Sequence, residues 1–193
     1  GGVYTASTAT QTFNGGLTVS GGTFTGSSGA VDVNGALTLS SGTLTAPSGT
    51  FTVSGNWTVS GSPTFTPGTN TVTFDGTNQT ISGSTTFYNL TKTVSSADTL
   101  TFTAGTTQTI SNTLTLNGTS GNLLSLRSSA TPTQWNINPQ NTRTLTYLDV
   151  KDSNNTNTTA IATSGFNITD SLNNTNWTFD IATPVISSIS PAS

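Results

Sequence analysis

The chain has no cysteine, methionine or histidine in its 193 residues. Without cysteine there is no disulfide, no thiolate metal site and no thiol redox chemistry. With histidine missing as well, only oxygen ligands remain for a metal. Charge is almost as scarce. Glutamate is absent, seven aspartates face four cations (Lys92, Arg127, Arg143 and Lys151), and charged residues make up 6% of the chain. A net charge of -3 with no run of one sign supplies little electrostatic binding energy, so nucleic acid is not expected as a partner. No membrane span is read. The opening GGVYTASTAT has neither a basic start nor an apolar run, so the sequence reads as a mature form or an excerpt of something longer. Helix formers are few, and helix is disfavoured on propensity.

What fills the chain instead is threonine, about a quarter of all positions, with glycine, serine and asparagine. Thr, Val, Phe and Ile suit pleated strands, and Gly, Ser and Asn suit tight corners. A polar, low-complexity chain of this kind can also be disordered. Regularly recurring apolar residues argue against that. LTVSGGTFTG begins at Leu17, LTLSSGTLTA at Leu37 and WTVSGSPTFT at Trp57, a twenty-residue interval. Phe24, Leu44 and Phe65 form a second column, and Val31, Phe51 and Val72 a third.

Each repeat thus carries three short strands separated by glycine- and serine-rich turns, too short for hairpins of useful length. They predict an all-β chain wound as a parallel β-helix, or β-solenoid, with three strands per coil of roughly 20 residues. Coils stacked about 4.8 Å apart place like residues over one another. One coil alone buries about five apolar side chains, each worth roughly 1.5–3 kcal/mol, against about 1–2 kcal/mol per ordered residue. Only neighbouring coils close that gap. The expected organisation is one solenoid over residues 1–182, regular over 17–76 and less regular over 77–182, with about nine coils in all. In the second half Trp135, Ile137, Leu145, Tyr147 and Val150 are expected inside, with the asparagine-rich 153–158 as a loop and Trp177 and Phe179 closing the stack. Residues 183–193 read as a linker or strand leading to a following domain or partner.

The stretch NWTVSGSPTFTPGTNTVTFDGTNQTISGSTTFYNL at 56–90, followed by YLDVKDSNN and NTNWTF, resembles long, repetitive parallel β-helix surface proteins of environmental bacteria. The resemblance covers about two thirds of the chain and implies the fold and an extracellular or cell-surface location rather than an activity. The tail TPVISSISPAS is similar to the opening strand of an IPT/TIG immunoglobulin-like domain.

Parallel β-helices include polysaccharide lyases and hydrolases, whose chemistry needs paired carboxylates. Asp149 with Asp152, and Asp170, are the candidates. Alternation points Asp149 outward, however, toward an ion pair with Lys151 and Arg143, and no catalytic residue is assigned. DSNNTN from Asp152 lacks the glycine and the twelfth-position glutamate of a calcium loop, so no metal or cofactor is expected. The T-x-T column carries more weight. Thr23, Thr25, Thr43, Thr45, Thr64 and Thr66 should point outward in register, a candidate face for ice or glycan, and ice-binding β-solenoids show a similar local pattern. Val185, Ile186 and Ile189 form a candidate assembly strand, whose partners would be a neighbouring domain or like subunits. The expected role is structural or adhesive, with end-to-end assembly in a filament or sheath. Ice or glycan binding is the first alternative and polysaccharide cleavage the second.

Overall fold

The computed structural model describes residues 1–180. These form about eight turns of a parallel β-solenoid, roughly 21 residues per turn, with no helix among them. Every ladder between named strands is parallel. The turns define three faces. The first carries Leu17–Val19, Leu37–Leu39 and Trp57–Val59, then Gln79–Ser82, Asp98–Phe102, Leu124–Ser128, Leu148–Val150 and Thr169–Asp170, each hydrogen-bonded to the next.

The expected columns are present. Leu17 lies over Leu37 and Leu37 over Trp57; Phe24, Leu44 and Phe65 are in register, as are Val31, Phe51 and Val72. Strand alternation sends Thr18, Thr38 and Thr58 outward while their neighbours Leu17, Leu37 and Trp57 are buried. In the upper turns Trp135, Ile137, Leu145 and Val150 are buried as expected. Tyr147 is not. It sits at a corner with φ of 52°, and Leu148 takes the inward position beside Val150. Trp177 is buried and stacks on Phe179 with ring centroids 5.9 Å apart.

Three separate strands per coil is not how the chain divides everywhere. In the lower turns the first and second faces are one bent strand, Leu17–Thr25 and Leu37–Thr45. In the upper turns the second and third faces fuse instead, as Thr85–Thr93 and Thr107–Asn117. Glycine makes the lower bend. Gly22 and Gly42 have φ of 71° and 75°, and a Cβ on Gly42 would lie 2.4 Å from the Gly22 carbonyl oxygen. The second face therefore belongs to the sheet of the first face below and to the sheet of the third face above. Where it changes sheets, no ladder joins Thr64–Thr66 to Thr85–Phe87. A cleft of about 280 Å³ opens there, lined by Val59, Pro63, Phe65, Ser84 and Thr86.

The asparagine-rich stretch is not wholly a loop. Ser153–Asn155 is a second-face strand paired with Trp135–Ile137. Its inward side chains are polar but partnered. Ser153 accepts a hydrogen bond from Trp177 Nε1 at 3.1 Å, and Asn155 Nδ2 donates to the carbonyls of Thr159 and Asn176. A strand can thus be built from residues of low β-propensity when each buried amide finds backbone acceptors.

Leu44 is fully buried in the second-face column. Leu44→Ala is expected to cost about 2–5 kcal/mol. Thr38→Ala, outward on the first face, should stay within about 0.5 kcal/mol. Urea-unfolding midpoints measure both, and equal losses would mean the interior column carries no special weight.

Candidate functional site: two threonine faces and a buried ion pair

The six threonines expected to share a face do so. Thr23, Thr43 and Thr64 are in register, as are Thr25, Thr45 and Thr66, with Phe24, Leu44 and Phe65 pointing inward between them. Below them the rows continue only to Val3 and Thr5. Above, the array ends at the cleft. Beyond it the second face carries Thr86 and then Thr107 and Thr109, and above these it turns to asparagine, with Asn154 Nδ2 donating to Asn136 Oδ1 at 2.8 Å. Val185, Ile186 and Ile189 lie outside the described residues.

A longer array stands on the third face. Thr12, Asp32, Thr52, Thr73, Thr91, Thr115 and Thr144 occupy one unbroken outward column over seven coils. Thr71, Asn89, Thr113 and Thr142 flank it on one side. Thr93, Asn117 and Thr146 flank it on the other. Behind these rows Val72, Leu90 and Leu114 hold the sheet against the core. The corner is pinned by amides, with Asn112 Nδ2 donating to Asn89 Oδ1 at 2.8 Å and Asn141 Nδ2 to Asn112 Oδ1 at 3.3 Å. The signal was in the sequence as TVT at 71–73, LTKT at 90–93, TLTLN at 113–117 and TRTLT at 142–146. A search at a fixed twenty-residue period misses it, because the steps Thr73 to Thr91, Thr91 to Thr115 and Thr115 to Thr144 are 18, 24 and 29 residues.

The charged residues are arranged differently from expectation. Asp149 points outward on the first face, but its partner is Arg127 one coil below, not Lys151 or Arg143. Arg127 Nη1 also donates to the Asp149 carbonyl at 2.6 Å, and Ser171 Oγ donates to the Asp149 carboxylate at 2.5 Å. Arg143 is turned inward on the third face, above Leu114, and donates to the carbonyls of Pro139 and Ala160. Burial lowers its pKa. Asp152 is buried. Burial alone would raise its pKa, but hydrogen bonds from Thr131 and Asn173, with Lys151 and Arg127 nearby, leave it below the ordinary value. Asp149 is thus engaged by Arg127 and Ser171, Asp152 by Thr131 and Asn173, and Asp170 by the Leu172 N–H and the Asn174 amide. Among the described residues no three His, Cys, Asp or Glu side chains cluster as metal ligands would.

Lys92 is the most unusual of these groups. It occupies an inward position of the third face and is fully buried. Its ammonium lies 2.8 Å from the Asp98 carboxylate and donates to Gly76 O at 2.7 Å and Gln79 Oε1 at 3.0 Å. Asp98 Oδ1 also accepts from the backbone N–H groups of Asn78 and Thr99. Gln79 in turn donates to Val53 O and Gly55 O in the coil below. One lysine thus ties three consecutive coils together at the corner between the third and first faces. Burial would raise the Asp98 pKa, but Lys92 and the two N–H donors outweigh it and leave it lowered. A carboxylate depressed in the folded state contributes stability fully above its unfolded pKa of about 3.9, and that stability is lost as pH falls through the folded value.

Removing one partner of a buried pair strands the other charge, so Lys92→Met is expected to cost about 3–5 kcal/mol at neutral pH. Lys92→Met combined with Asp98→Leu should recover most of that loss. The urea midpoint of the unmutated chain should fall as pH drops below about 4, and the double variant should lose less over the same interval. A double variant as weak as the single one would show that the pair is not the source of the effect. Comparison of the chain with protein-family models, curated proteins and solved structures found no match.

Proposed function

We propose that the chain is a rigid structural or adhesive shaft of a bacterial extracellular or cell-surface protein, which joins a neighbouring domain or like subunits through its ends. The observation that carries this reading is the first-face ladder, unbroken from Leu17 to Asp170 over one continuous apolar interior. Eight coils at about 4.8 Å make a shaft on the order of 40 Å long. No disulfide contributes to its stability. The lower end supports contact with a further strand or coil. Leu17, Val19, Phe13 and Phe24 line an opening of about 380 Å³, and Val3 and Tyr4 are 73% and 47% exposed beside it. Unsatisfied strand edges of this kind accept another strand. Glycan binding and polysaccharide cleavage have no comparable support, since Asp149 is tied to Arg127 and Ser171, and Asp152 is buried beneath its own hydrogen bonds.

Thermolysin digestion and light scattering of the full chain and of a chain lacking 184–193 test the reading in two parts. Both chains should resist digestion at neutral pH, as a continuous ladder without long loops predicts. The full chain should show the higher oligomeric state. Rapid cleavage within 17–170 would overturn the shaft reading, and the same oligomeric state in both chains would overturn assembly through residues 184–193 alone.

A further inference from the structure

We propose that the third face binds ice, or water ordered as at an ice surface, through its threonine grid. This goes beyond the shaft reading and rests only on the fold. The grid spans four coils from Thr71–Thr73 to Thr142–Thr146, and its ladders keep register throughout, the only shift lying before Asn89. Along a strand, outward side chains repeat every two residues, about 6.7 Å, and across coils about every 4.8 Å. The face thus presents a two-dimensional lattice rather than a pocket. Among the described residues the hydroxyls of Thr73, Thr91, Thr93, Thr115, Thr142 and Thr144 make no hydrogen bond to the protein. They are free to hold water, and each carries a methyl group beside its hydroxyl.

The chemistry of the face argues for a water lattice over a sugar chain. The rows of the grid carry no charged side chain outward and no aromatic ring; the charged Lys92 and Arg143 of these strands are turned inward, and the half-buried Tyr88 and Tyr147 sit at the corners just outside it. The groove beside its lower margin, about 440 Å³ and lined by Thr50, Thr52, Asn70 and Thr71, has Phe51 as its one aromatic, and that ring is buried. The other faces lack the same continuity. The second-face threonines are split at the cleft, since no ladder joins Thr64–Thr66 to the strands carrying Thr86, Thr107 and Thr109 above it, and outward positions of the first face are interrupted by Arg127 and Asp149.

Thermal hysteresis and ice-crystal shape are to be measured on the full chain and on Thr115→Tyr, Thr91→Tyr and Thr43→Tyr, with circular dichroism and urea midpoints to confirm folding. The unmutated chain should show hysteresis and faceted crystals. Tyrosine at the centre of the third face lifts a flat lattice off its neighbours, so Thr115→Tyr and Thr91→Tyr should abolish both effects. Thr43→Tyr, on the second face, should leave them intact. Absence of hysteresis in the unmutated chain overturns the proposal, as does equal loss in Thr43→Tyr. Retention on insoluble chitin or cellulose without ice shaping overturns it in favour of a glycan surface. None of these outcomes bears on protease resistance, so the shaft reading stands or falls separately.

Discussion

The structure depends on the parallel ladder between one coil and the next. A coil of about twenty residues orders its backbone at a cost its own few apolar side chains cannot offset. Hydrogen bonds to the coils on either side satisfy its N–H and C=O groups, and the same stacking covers Leu17 with Leu37 and Leu37 with Trp57. Hydrogen bonding and apolar burial are then two results of one geometry. That is why so polar a chain can hold a core that runs from Leu17 to Trp177 without a disulfide.

The regular part of this geometry was legible because its period was nearly constant. Residues 17–76 repeat at twenty or twenty-one, so their columns line up in the sequence itself. The upper half kept the alternation but not the period. From Trp57 to Ile81 the step is 24 residues, and from Phe102 to Ser128 it is 26, as corners gain or lose loops. Alternation still located Trp135, Ile137 and Leu145, but it misplaced Tyr147, where a corner with positive φ ends the strand pattern. The stretch at 153–155 was hidden for another reason. Its inward residues are Ser and Asn, whose burial becomes acceptable largely through partners more than twenty residues away, such as Trp177 and Asn176.

The same limit governed the functional surfaces. The second-face threonines were found because they share the regular interval. The larger third-face grid was not, since its rows are spaced unevenly in sequence while evenly in space. Charge was the hardest to place. Lys92 looks like any surface lysine in TKT, yet it is inside, and only the loop that brings Asp98, Gln79 and Gly76 around it explains how an ammonium is tolerated there.

The exchange of the second face between sheets makes the shaft mechanically uneven. Below Thr64–Thr66, and from Thr85–Phe87 up to Thr142–Thr146, all three sides transmit load from coil to coil through hydrogen bonds; above Thr142–Thr146 the third-face ladder is interrupted before Ile161–Ala162. Across the seam between Thr64–Thr66 and Thr85–Phe87 only two sides do. With four second-face strands below the seam and four above it, bending strain is expected to concentrate on that side near mid-length, which makes the seam a directional hinge between two stiffer segments.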